Sequence, residues 1–170
     1  EIQLINAKIV GRQILVEAIA APKGNVRWTM IFMVFVMGAV SYLDRNNLSI
    51  VASGIKKDFG LSDIQLGYVF SSFALGYALA QPIAGKVADA LGAYKTIAVA
   101  IVLWSVFTVL TPLTSMLGPA IALTSLLVVR CLLGIGEAVI YPSGNRIVAS
   151  WIPKRERGFA TGVIFASVGV

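Results

Sequence analysis

Four ionisable residues stand inside otherwise apolar stretches: Asp44 and Arg45, then Arg130 and Glu137. A charge at the centre of a bilayer costs a few kcal/mol even on the mildest scale, so such residues face a bundle interior or a wet cavity. Ion pairs that only tie helices together are the simpler explanation, but in low dielectric they add little over apolar packing. Arg130 and Glu137 are two helical turns apart, on one face and about 10 Å from each other along the axis. Counting from span midpoints puts Asp44 and Arg130 at similar depth, slightly to the outer side, with Glu137 slightly to the cytoplasmic side. If their helices are neighbours, Asp44–Arg130 is the expected resting pair. Arg45, about 100° around the helix from Asp44, would then reach into a cavity.

These four charges sum to zero. An entering anion makes the site negative, and protonating one or both carboxylates restores the balance. The sequence has no histidine, the usual proton carrier near neutrality. That leaves Asp44 and Glu137 as the proton-coupling candidates, because burial raises a carboxylate's proton affinity and a nearby arginine lowers it. Protonating Asp44 would release its arginine to bind substrate.

The elements that must position these residues are membrane helices. Hydrophobic residues make up 58% of the chain and charged ones 13%, about half the charged share of an ordinary globular protein. That is too little polar surface for a soluble domain of this size. The stretches run roughly 28–55, 64–88, 95–112 and 119–150, with a fifth starting near Gly158. Each is near or above the ~20 residues needed to span. They are too long for barrel strands and lack their alternation. The fold class is therefore all-α, a polytopic transmembrane bundle of four complete spans and the start of a fifth.

Basic residues set the orientation. Lys8, Arg12, Lys23 and Arg27 precede the first span; Lys86, Lys95, Arg146, Lys154, Arg155 and Arg157 flank later connections on the same side. The other side has Lys56 and Lys57, so the amino terminus is expected in the cytoplasm. Residues 1–27 form a cytoplasmic leader, in which Ile2, Ile5, Ile9, Val16 and Ile19 fit an interfacial amphipathic helix and a disordered segment equally. The net charge of +6 is dispersed rather than gathered in a stripe, which argues against a nucleic-acid partner. Cys131 can form no intrachain disulfide. Starting at Glu1 and stopping at Val170 within an apolar run, the sequence reads as the front part of a longer protein. No metal-ligand cluster, nucleophile–base arrangement or phosphate-cradling loop occurs, so no enzyme, metal or cofactor is expected.

Several patterns together resemble the major facilitator superfamily, specifically its anion:cation symporter family. Tyr42-Leu-Asp-Arg-Asn-Asn-Leu-Ser49 is similar to that family's first-helix signature. Gly85-Lys-Val-Ala-Asp89-Ala-Leu-Gly92-Ala-Tyr-Lys95 resembles the superfamily's cytoplasmic loop motif. The most specific match is Arg130-Cys-Leu-Leu-Gly134-Ile-Gly136-Glu137-Ala138, continuing through Tyr141-Pro142, Asn145-Arg146, Trp151, Pro153 and Arg155-Glu156-Arg157. The resemblance implies a twelve-helix protein of two halves built from inverted repeats. Residues 28–170 would be helices one to four and the start of helix five of its amino-terminal six-helix bundle, lacking the carboxy-terminal half. It further implies a monomer in the bacterial cytoplasmic membrane that moves a small organic anion, a sugar acid such as a hexuronate, aldonate or aldarate, together with protons. Arg45 would coordinate the substrate carboxylate with Tyr42 and Tyr77 nearby, Asp44 and Glu137 would carry protons, and Arg130 would pair with a carboxylate. Gly85, Asp89, Gly92 and Lys95 would form a gating loop. Ala90, Ala93 and Tyr94 stand where that loop is normally basic, which weakens its network.

Two other readings compete. In one, a neutral or cationic solute is carried and Arg45 is only a gate; in the other, the protein is a transporter-like receptor that moves nothing. Tyr42 and Tyr77 either hydrogen-bond a polyol or satisfy a neighbouring helix. Gly67, Gly76, Gly134 and Gly136 permit close packing more often than helix rocking, and Pro82 and Pro142 are kinks or tolerated bends. Arg155-Glu156-Arg157 reads as a solvated loop.

Overall fold

The computed structural model describes residues 25–169, so most of the expected leader lies outside the described residues. Among them the chain is helical, with no strand. Helix α1 runs Val26–Asp58, α2 Asp63–Leu91, α3 Ala93–Leu113, α4 Pro119–Glu137, α5 Ile140–Trp151 and α6 Arg157–Ala166. The stretches Val26–Asp58, Ala93–Leu117 and Ile121–Trp151 are long and apolar enough to cross a membrane. Helix α2 is comparably long at 29 residues, with Gln65, Ser71, Ser72 and Gln81 interspersed among its apolar residues. Val99, Val102, Val106 and Val109 form an exposed stripe on α3. In water a face of this kind would drive association; in hydrocarbon it is simply solvated. The protein is an integral membrane protein.

The expected fourth span is one rod with an interruption. Helix α4 stops at Glu137 and α5 resumes at Ile140, with Ala138 and Val139 in a turn. Pro142 explains the position: it has no N–H to offer the Ala138 carbonyl, and its ring crowds that carbonyl. The break falls directly after a charged residue of the site.

Helix α2 lies along α4, and α1 packs on α5 and α6. Close approach of α2 to α4 depends on Gly76 and Gly134. A Cβ on Gly76 would collide with the Cys131 carbonyl, and one on Gly134 with the Phe73 carbonyl. Among the described residues, three buried clusters fill the interior. Ile31 and Val34 of α1 meet Tyr141, Val148, Ala160 and Ile164. Leu48 meets Leu61, Val69 and Leu126, while Trp104 meets Leu133 and Ile140.

Local signals end the helices where the sequence places them. Ser62 and Gln65 form a reciprocal cap at the start of α2, each side chain accepting from the other's backbone N–H. Gly92 alone joins α2 to α3 at φ +85°, ψ 147°, a conformation essentially reserved for glycine. The three-residue basic loop is not merely solvated. Arg157 donates to the carbonyls of Ile152 (3.0 Å) and Ala149 (2.7 Å), closing the end of α5. Glu156 pairs with Arg27 at 3.1 Å, joining that loop to the start of α1.

Candidate functional site

Ser41 and Arg45 are four residues apart on α1 and so share a face. Both point to the last residue of α4. Ser41 Oγ donates to Glu137 Oε2 at 2.5 Å and Arg45 Nε donates to the same oxygen at 3.0 Å. Arg45 Nη2 also lies 3.0 Å from it. Glu137 is completely buried. Its Oε1 has no hydrogen-bond partner among the described residues, so every contact falls on one carboxylate oxygen.

Aromatic rings frame the guanidinium of Arg45. Its central carbon lies 4.4 Å from the Tyr77 ring centre, 4.9 Å from that of Phe73 and 5.0 Å from that of Tyr42. Such faces attract a cation through the ring quadrupole, more strongly where water is excluded. Tyr42 and Tyr77 also line an open cleft of about 680 Å³ with Gln81, Tyr141 and Asn145. The expected grouping of Arg45, Tyr42 and Tyr77 is therefore a physical cluster.

Asp44 and Arg130 line a second pocket, of about 320 Å³. They are not paired. Asp44 Oδ2 accepts from Trp104 Nε1 of α3 at 2.9 Å. Arg130, 6% exposed, makes no ion pair among the described residues. Its guanidinium instead stands 5.6 Å from the Phe73 ring centre, and its Nε is without a partner among those residues. The expected Asp44–Arg130 pair is thus replaced by Arg45–Glu137 and Asp44–Trp104. The cause is azimuth: the face of α1 that carries Ser41 and Arg45 meets the end of α4, and turning 100° to Asp44 brings its carboxylate against α3.

In the loop motif, Arg146 of α5, partly exposed, donates to the exposed Asp89. Gly92 makes the turn, Lys95 is exposed at the start of α3, and nothing lies within 4 Å of a Cβ added at Gly85. The loop and the charge site are separate places.

Ser41, Phe73 and Trp104 join the site without having been picked out from the sequence. Ser41 stands one turn from Arg45, and Phe73 one turn from Tyr77, so spacing could have flagged both. Trp104 carries an N–H that needs an acceptor when buried.

Residues 34–170 match the family described as the Major Facilitator Superfamily. The chain belongs to this superfamily. Within it, the chain is 38% identical over 142 residues to the probable galactarate/D-glucarate transporter GudP of Bacillus subtilis, covering 84% of this chain and 31% of that protein. It is 40% identical over 139 residues to the protein of the same description from Pseudomonas putida, covering 82% and 30%. It is 38% identical over 143 residues to the D-galactonate transporter of an Escherichia coli strain, covering 84% and 32%. Among solved structures it is similar to a bacterial homologue of the human lysosomal transporter Spinster in an inward-facing, unoccupied conformation. There the TM-score is 0.76 at 29% identity, covering 87% of this chain and 30% of that one. This superfamily chain spans about a third of the length of these relatives.

Proposed function

We propose that this chain is the amino-terminal part of a secondary transporter that carries a sugar acid in symport with protons across a bacterial cytoplasmic membrane. The observation that carries the reading is Arg45: a guanidinium tethered by a buried carboxylate, framed by three rings, beside a cleft lined by tyrosines and amides. Arginine's planar fork suits a carboxylate, and hydroxyl and amide groups suit a polyol. Relatives described as galactarate/D-glucarate, D-galactonate and hexuronate transporters support the same substrate class.

An anion that binds Arg45 competes with Glu137 for it. Once Arg45 turns to the substrate, a buried Glu137 is left without its counter-charge, and taking up a proton removes the penalty. Asp44 is the second proton carrier. Asp89, Gly85, Gly92 and Lys95 form the gating loop, the amino terminus is cytoplasmic, and the carboxy-terminal half of a monomeric protein supplies the opposite wall.

Uptake of a panel of sugar acids by the full-length polypeptide in proteoliposomes under an imposed proton gradient tests this. Wild type is expected to accumulate an aldonate or aldarate, with Arg45→Lys raising its KM at least about tenfold. Undiminished anion binding by Arg45→Ala would remove Arg45 from the substrate site. Asp44→Asn or Glu137→Gln is expected to abolish proton-driven accumulation and to spare substrate exchange; accumulation persisting in both variants would end the proton assignment.

A further inference from the structure

Asp44 has a neighbour that the proposed transport mechanism does not use. Trp104 of α3 donates its indole N–H to Asp44 at 2.9 Å. The residue is 8% exposed and packs with Leu133 and Ile140. Its backbone lies against α4, where a Cβ added at Gly136 would stand 3.4 Å from Trp104 N. Trp104 is therefore anchored one residue before Glu137, while its ring nitrogen holds the carboxylate on α1. Trp104 thus meets Asp44 through its ring and the residue before Glu137 through its backbone.

Arg130 sharpens the point. It lines the same pocket as Asp44, is buried, and has an unpartnered Nε among the described residues. A carboxylate and a guanidinium lining one pocket attract each other, yet here the carboxylate is held by a neutral donor. An indole N–H has no acceptor and does not titrate near neutrality, so it orients Asp44 and, as a neutral donor, favours the carboxylate less than a guanidinium would.

We propose that Trp104 is a positioning residue for proton coupling: it holds Asp44 off Arg130 and thereby keeps that guanidinium free to face the pocket. The proposal rests on the reading of Asp44 as a proton carrier. It brings into the mechanism a helix whose membrane-embedded stretch carries no charged residue after Lys95.

Trp104→Phe keeps most of the ring and removes the donor. In the full-length polypeptide in proteoliposomes, D-galactonate uptake driven by a proton gradient is measured against pH, beside galactonate exchange at saturating substrate. With Asp44 released to Arg130, whose charge outweighs the neutral donor it replaces, the acid-activated limb of uptake is expected to move about one pH unit lower. In an Asp44→Asn background, Trp104→Phe is expected to leave the pH dependence of exchange unchanged. Should Trp104→Phe fail to fold, replacing Trp104 by its benzothienyl analogue, which has sulfur in place of the N–H, is expected to give the same acid shift. An unmoved limb, a limb moved to higher pH, or an equal shift without Asp44 would overturn the positioning role. Proton-driven accumulation persisting in Asp44→Asn would instead sink the assignment of Asp44, whatever Trp104→Phe does.

Discussion

Arg45 and Glu137 are joined through a single carboxylate oxygen, Oε2, which also accepts from Ser41. Such a junction is specific without being self-sufficient. Glu137 is wholly buried while Arg45 keeps 23% of its side chain exposed, so the glutamate depends on the arginine more than the reverse. Removing one member of a buried pair leaves the other uncompensated. Arg45→Ala is therefore expected to lower the melting temperature in detergent, by the equivalent of about 2–4 kcal/mol. Glu137→Gln should recover part of that loss in the Arg45→Ala background, because the strandable charge is gone. A double-mutant cycle with no coupling between the two positions would contradict the pairing.

The Phe73 ring is near two guanidinium groups, 4.9 Å from Arg45 and 5.6 Å from Arg130. Its ring also stacks on Tyr77 at 6.1 Å. Phe73→Leu preserves an apolar side chain but removes the π-face seen by both cations. Each such contact contributes on the order of 1–2 kcal/mol when poorly solvated. On the proposed sugar-acid reading, binding by the full-length polypeptide is expected to weaken about tenfold by calorimetry, with Phe73→Tyr close to wild type.

The sequence was most informative about elements and least about azimuth. Apolar stretch length and short connections place each helix within a few residues, because the bilayer fixes span length and Gly92 or Ser62 fixes the turn. The proximity of Asp44 and Arg130 was legible too: both face one pocket. Their pairing was not, because one chain does not say which helix lies 100° around from another. Two structural roles escaped for a related reason. The interruption after Glu137 comes from Pro142, four residues beyond Ala138, and Arg157 reads as loop charge until the carbonyls at the end of α5 are in view.

Gly85 and Gly92 belong to the same loop motif but bear different constraints. Gly92 holds φ +85°, so Gly92→Ala is expected to destabilise by about 1–3 kcal/mol. Gly85 is inside α2 with open space around its missing Cβ. Gly85→Ala should be neutral or stabilise by up to about 1 kcal/mol, since alanine favours helix more than glycine does. Thermal unfolding of the two single variants in one detergent separates these cases. A comparable loss at both positions would mean that Gly85 is held by something other than its helix.

Arg157 and Arg155 test whether the basic loop is structural. Arg157 donates two hydrogen bonds to carbonyls at the end of α5, where helix carbonyls lack intrahelical donors and the dipole favours a cation. Arg155 is exposed. Arg157→Ala is expected to destabilise by about 1–3 kcal/mol and to speed proteolytic cleavage between α5 and α6. Arg155→Ala should change stability by less than about 0.5 kcal/mol. Arg157→Lys should recover only part of the loss, because an ammonium on a flexible stem lacks the planar fork that reaches Ala149 and Ile152 together. Equal sensitivity of the two arginines would remove the capping role, whereas the expected asymmetry would tie the α5–α6 connection to the end of the same rod that carries Glu137.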